Sequence, residues 1–193
     1  RVVAIGAGPQ RLKRDISTRK YDKPTALFVG LELERKGGLV LLESWRRVAD
    51  AMPDAELVIV GAAPPPGASC PRVHWLGRVW DHEKLRTLFL EARLFVMPSL
   101  FEPWGLVFHE AMGHGLPCIG TDTCAMPEII DDGATGLIAR AGDADSLADA
   151  LVRLLSNPAE AEAMGREAHR RVLAEHTWTR VADRIGSELA AGA

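Results

Sequence analysis

Cysteine is scarce in this 193-residue chain and poorly placed for pairing: Cys70, Cys118 and Cys124 are odd in number and scattered. That argues against a disulfide scaffold and points to a reducing compartment, so the expected location is cytoplasmic. Long hydrophobic runs are missing as well. No stretch approaches the roughly 20 apolar residues of a transmembrane segment, and nothing resembles a secretory signal. A basic excess is also absent. The formal net charge of -3 gives no electrostatic case for nucleic acid, whose binders present a basic face. There is no internal repeat and no low-complexity segment. The chain begins at Arg1 rather than methionine, so a piece of a longer protein is expected.

What is present suits one domain. Apolar residues make up 47% of the chain, enough to fill a core without metals or disulfides. Short β-branched runs alternate with amphipathic segments. Strands are expected at Thr25–Gly30, Ala55–Gly61, Val73–Leu76, Arg93–Met97 and Pro117–Thr121, with an edge strand at Gly136–Ala139. Between them Leu41, Leu42, Trp45, Val48 and Met52 recur at helical spacing up to Pro53, and Leu85, Leu88 and Phe89 share one helix face. Further helices are expected from about Trp104, over Ala125–Ile130, along the Leu147, Ala150, Leu151, Leu154 stripe, and over Pro158–Leu173 and Thr177–Ala190. This alternation implies right-handed crossovers and an α/β, doubly wound parallel sheet of Rossmann-like type, with C-terminal helices. Ligands of such sheets sit beyond the carboxyl ends of the strands. Residues 1–24, polar around a short strand at Val2–Ile5, read as a linker or edge segment.

Three motifs imitate sites. Val2–Pro9 (VVAIGAGP) opens like a dinucleotide fingerprint, but Arg11 stands where the third glycine belongs, and no helical periodicity follows. In His109–His114 (HEAMGH) the histidines are five apart, about 500° around a helix, so they diverge instead of sharing a face as zinc ligands do. Asp143 and Asp145 resemble a metal-holding acidic pair, yet Asp143 directly precedes a helical stripe, where a carboxylate caps free N–H groups. Asp131-Asp132-Gly133 is a turn signature.

A second set occurs in an order that makes chemical sense. Glu34-Arg35-Lys36-Gly37-Gly38 follows a strand and opens a helix. Two cations beside a helix N-terminus, with glycines allowing close backbone approach, suit a diphosphate. Next comes Pro98–Glu110 (PSLFEPWGLVFHE). Glu102 lies in a loop at a strand's carboxyl end, and Gly105, Leu106 and Val107 offer amides at a helix start. Glu110 follows eight residues after Glu102. Carboxylates accept O–H donors and so suit vicinal hydroxyls. Ala111–Pro117 (AMGHGLP) ends that helix on glycine and turns into a strand, a structural C-cap with tight packing.

RKGG, LFEPWGLVFHE, AMGHGLP and MPEIIDDGATGLI together resemble the C-terminal domain of retaining glycosyltransferases of GT-B fold, family 4. The resemblance runs from about Thr25 to Ile138, and His176-Thr177-Trp178 is similar to the family's terminal helix. It implies one half of a two-domain architecture, with residues 25–175 as the nucleotide-sugar-binding domain and 176–193 as a helix crossing toward an N-terminal domain. By the resemblance, Lys36, with Arg35, binds the diphosphate, and Glu102 contacts the transferred hexose. Those roles make Lys36 and Glu102 the candidate catalytic residues. Glu110 would take the ribose hydroxyls, the amides of Gly105, Leu106 and Val107 the phosphates and sugar, and Arg78, Val79 and Asp81 would face the base. The donor is a nucleoside-diphosphate sugar, and neither metal nor other cofactor is implied.

The chain departs from the family at two places. Leu31 stands where an arginine often follows the strand glycine, and Cys124-Ala125-Met126 replaces a glycine pair. The acceptor site, and often a catalytic histidine, belong to an N-terminal acceptor-binding domain of the full-length chain, to which any membrane-peripheral attachment is also left. His109 and His114 read as helix-packing residues, and the fragment alone is expected to be inactive. Two other readings stay open: a nucleotide-sugar epimerase on the same fold, and a non-catalytic nucleotide-binding module.

Overall fold

The computed structural model describes residues 16, 17 and 19–191. The expected strand at Val2–Ile5 and the VVAIGAGP run lie outside the described residues. Six strands, β1 (Thr25–Gly30), β2 (Glu56–Gly61), β3 (Val73–Gly77), β4 (Leu94–Val96), β5 (Cys118–Thr121) and β6 (Gly136–Ala139), form one sheet in the order β3-β2-β1-β4-β5-β6. Every pairing is parallel. The chain winds one way from β1 to β3 and then returns to lay β4 on β1's other side. The crevice between the ends of β1 and β4 is therefore the topological switch point, where doubly wound sheets bind ligands.

Seven helices cover the sheet among the described residues. They are α1 (Gly38–Ala51), α2 (His82–Glu91), α3 (Leu106–Gly113), α4 (Met126–Ile129), α5 (Ala144–Ser156), α6 (Pro158–Glu175) and α7 (Trp178–Ala191). Leu41, Leu42, Trp45 and Val48 bury the inner stripe of α1, and Leu147, Leu151 and Leu154 that of α5. Trp45 tolerates full burial because its indole N–H donates to the Pro71 carbonyl at 3.1 Å. Asp143 caps α5, accepting from the Ser146 amide at 2.8 Å. Helix α3 begins at Leu106 rather than near Trp104. Gly105 takes the left-handed conformation, φ 56°, and stands outside the helix as its N-cap. No helix among the described residues is long and apolar enough to cross a membrane.

The segment before β1 is fastened down by two buried arginines that form no ion pair with a carboxylate among the described residues. Arg19 donates to the carbonyls of Phe89 (2.8 Å), His114 (3.0 Å) and Ala92, and Arg93 to those of Tyr21, Asp22 and Leu155. The Tyr21 hydroxyl donates to the Gly115 carbonyl. Gly115 needs to be glycine: its φ is 78°, and a Cβ there would lie 2.8 Å from Ile16. Helix α6 crosses at the same point, since a Cβ on Gly165 would lie 2.2 Å from the Gly115 carbonyl oxygen. The GHGLP turn is thus a packing node, the structural role its composition suggested.

Candidate functional site

The two sequence-distant motifs meet at the switch point. The β1–α1 turn and the loop after β4 touch through Gly37, which adopts φ 71°. A Cβ there would lie 1.8 Å from the Pro98 carbonyl oxygen, so no other residue allows this approach. The Leu100 amide donates to the Arg35 carbonyl at 3.0 Å, and the Arg35 guanidinium donates to the Phe101 carbonyl at 2.8 Å. Lys36 reaches back under the turn. Gly30 leaves room for its stem, because a Cβ on Gly30 would lie 2.4 Å from Lys36 Cδ.

The Lys36 ammonium ends 2.9 Å from Glu102 Oε2 and 3.4 Å from Met97 Sδ. Arg35 is 3.8 Å from the same carboxylate oxygen and is also bound by Glu32 at 2.9 Å. The other oxygen, Glu102 Oε1, accepts from the Gly105 amide at 3.2 Å. Glu102 therefore ties the cationic turn to the amino end of α3. The amides of Leu106 and Val107, in the first turn of that helix, donate to no protein group among the described residues. Arg35, Lys36 and residues 101–107 enclose an open hollow of about 470 Å³. With two cations, two unpaired amides and a helix dipole aimed inward, the hollow is built for an anion with several oxygens.

A second hollow, of about 160 Å³, lies over the ends of β1, β2 and β3, lined by Val29, Gly30, Leu31, Val60, Gly61, Arg78, Val79, Trp80 and Leu85. Its walls are apolar apart from Arg78, whose guanidinium lies 5.8 Å from the centroid of the Trp80 ring. The two hollows are neighbours: Gly30 lines the second and packs against the stem of Lys36, which lines the first.

Arg35, Lys36, Glu102, Gly105, Leu106 and Val107 thus share one hollow, and Arg78 and Val79 share the other. Asp81 is occupied otherwise. Its carboxylate caps α2, accepting from the amides of Glu83 at 2.9 Å and Lys84 at 3.2 Å. Glu110 lies half-buried on α3. Burial pushes its carboxyl up, against the pull of His82 at the start of α2. No hydrogen bond or ion pair joins the Glu110 carboxylate to Lys36 or Glu102 among the described residues. His109 and His114 diverge as their spacing requires: His109 packs against His176 at 4.7 Å, and His114 stacks on Phe89 at 5.2 Å.

Trp80 is a wall of the second hollow that the sequence reading passed over. Its only signal was its place, in the loop beyond the end of β3, and a lone tryptophan in a loop has no pattern to betray it. Cys124 has φ 53°, a left-handed conformation that favours glycine. The glycine pair that this stretch lacks relative to the resembling family would occupy such a backbone without strain.

Residues 23–157 match the family described as Glycosyl transferases group 1. Among curated relatives, a phosphatidyl-myo-inositol mannosyltransferase of Mycobacterium leprae is 36% identical over 83% of this chain and 45% of its own length. An alpha-maltose-1-phosphate synthase of Mycobacterium tuberculosis is 31% identical over 92% of this chain and 51% of its own. The chain spans about half the length of the curated relatives it matches. Among solved structures, a sucrose-phosphate synthase from Thermosynechococcus elongatus superposes with a TM-score of 0.75 at 28% identity, covering 100% of this chain and 53% of that one. The C-terminal domain of a group 1 family glycosyl transferase from Francisella tularensis shares the fold, with a TM-score of 0.70 at 18% identity over 91% of this chain and 98% of that domain.

Proposed function

The chain belongs to the group 1 glycosyl transferases, and from that premise we propose that it is the C-terminal, donor-binding half of a retaining family 4 enzyme of GT-B fold. The observation that carries this reading is the Lys36–Glu102 clasp at the amino end of α3, beside an open polar hollow and one glycine away from an apolar one. A nucleoside-diphosphate hexose matches that sequence of environments. Its base enters the hollow beside Val79 and Arg78, its diphosphate meets Lys36, Arg35 and the amides of Gly105, Leu106 and Val107, and its hexose lies by Glu102. Glu110 serves the ribose hydroxyls.

In the reaction, the bond from the anomeric carbon to the phosphate oxygen breaks and its electron pair leaves with the diphosphate. The acceptor hydroxyl oxygen then bonds that carbon on the face the diphosphate vacates, and its proton passes to the departing phosphate oxygen. The developing charge falls where Lys36 and the α3 amides already point, so no solvent must reorganise to stabilise it. The Lys36–Glu102 ion pair is a resting arrangement. An arriving diphosphate draws the ammonium away, and the freed carboxylate oxygen accepts from a hexose hydroxyl. In this reading the cations and the helix dipole carry the leaving group, and catalysis needs no divalent metal.

The acceptor belongs to the other half of the full-length chain, which also completes catalysis. On α7 the exposed side chains Trp178, Ile185 and Leu189 form an apolar stripe suited to that half. The three cysteines are free thiols, which supports a cytoplasmic location.

Calorimetric titration with UDP, GDP and ADP tests the donor site. A charge-assisted hydrogen bond contributes about 1.5–3 kcal/mol, so Lys36→Ala should weaken binding about 10- to 100-fold, and Glu110→Ala should weaken it by losing the ribose. Unchanged affinity in Lys36→Ala would refute the assignment.

A further inference from the structure

Trp80 is 80% exposed and Leu31 is 58% exposed, although both face an apolar hollow at the carboxyl end of the sheet. Large apolar side chains left in water at a concave site mark a place where something else completes their burial. The hollow narrows the choice of occupant. Its floor is backbone at Gly30 and Gly61, and Gly61 is held at φ 98° with no room for a side chain, since a Cβ would lie 2.5 Å from the Gly30 carbonyl oxygen. An uncharged ring suits walls made of Val29, Leu31, Val60, Val79, Trp80 and Leu85. The only charged side chain in the lining, Arg78, is set toward the Trp80 ring, which limits the indole's swing. Leu31, whose side chain sits beside Gly61, adds an apolar group to the same lining.

Resting on the donor-site reading above, we propose that Trp80 and Leu31 are the two jaws of a stacking clamp for the nucleoside base, and that this clamp favours purines over pyrimidines. A base offers a π-face whatever its hydrogen-bonding edge, so stacking gives affinity without a specific donor–acceptor pattern. The contact grows with ring area, and the bicyclic purines gain most. The clamp lies one glycine away from the Lys36 stem, so a base held there leads its diphosphate directly to the ammonium.

The test is calorimetric titration of the chain with ADP, GDP, UDP, CDP and inorganic pyrophosphate, comparing wild type with Trp80→Ala, Trp80→Phe and Lys36→Ala. Trp80 is so exposed that its replacement leaves the core untouched. Purine diphosphates should bind the wild type more tightly than pyrimidine diphosphates. Trp80→Ala should weaken ADP and GDP about 10-fold or more, weaken UDP and CDP less, and leave pyrophosphate unchanged, while Trp80→Phe restores most of the purine affinity. If Trp80→Ala binds ADP and GDP as wild type does while Lys36→Ala weakens them, the clamp is wrong and the donor site stands. Tighter binding of pyrimidines by the wild type also overturns the clamp. If Lys36→Ala changes neither nucleotide nor pyrophosphate affinity, the donor site fails and the clamp falls with it.

Discussion

Single residues here are fixed by backbone conformation as much as by chemistry. Cys124 shows this from the unfavourable side. It is an exposed, non-glycine residue at φ 53°, and among the described residues its thiol reaches only Thr123 Oγ1, at 3.6 Å. The left-handed conformation costs an L-residue roughly 1–2 kcal/mol, while glycine adds back up to about 1 kcal/mol of unfolded-state entropy. Cys124→Gly should therefore stabilise the chain by about 0.5 kcal/mol, a rise of about 1–2 °C in melting temperature at this size. Thermal unfolding checks it, and a lower midpoint would show that the thiol makes a contact worth more than the strain.

At the scale of elements, the site depends on two loops that approach only because Gly37 lacks a side chain. Gly37→Ala places a carbon inside van der Waals contact of the Pro98 carbonyl oxygen and forces an alanine to φ 71°. The expected result is a loss of more than about 2 kcal/mol, together with loss of nucleoside-diphosphate binding as Lys36 and Glu102 separate. Chemical denaturation and calorimetry read the two effects. Full affinity in a destabilised variant would show that the clasp is not what forms the site.

The elements themselves were legible in the sequence, because buried parallel strands read as short β-branched runs and the helices carry stripes at helical spacing. Arg35, Lys36, Glu102 and the α3 amides were legible because their glycines and charges fall at strand ends. The start of α3, expected from about Trp104 with Gly105 opening the helix, falls at Leu106 because Gly105 takes the left-handed conformation. The buried Arg19 and Arg93 were hidden. Their partners are carbonyls 62 to 95 positions away, and a carbonyl carries no sequence signature. The resemblance implied that Asp81 faces the base, and its carboxylate is committed to the α2 amides.

At the scale of the whole molecule, buried imidazoles lower stability on the acid side. Burial lowers His109 from 6.5 to about 4, with His176 and Arg171 adding to the shift and a hydrogen bond to the Gly105 backbone opposing it. His114 and His176 are lowered for the same first cause. A histidine whose folded pKa is depressed binds a proton more readily in the unfolded chain. Stability should thus fall as pH drops through 6.5 and level off below about 4, with His109 accounting for roughly 3 kcal/mol. His109→Leu should flatten this limb between pH 7 and pH 4, as followed by denaturant titration at each pH. Parallel pH profiles for variant and wild type would mean that His109 titrates alike in both states.

The same scale sets the limit of function. On the proposed reading, a chain spanning about half of its relatives' length grips the donor, while the acceptor and the closure that excludes water belong to two halves together. The most direct test of the account is a crystal structure of this chain with a nucleoside diphosphate bound. It should show phosphate oxygens within hydrogen-bond reach of Lys36 Nζ and the Leu106 and Val107 amides, the base between Leu31 and Trp80, and the Lys36–Glu102 contact opened from its 2.9 Å. A diphosphate seated elsewhere, with that ion pair still closed, would contradict it.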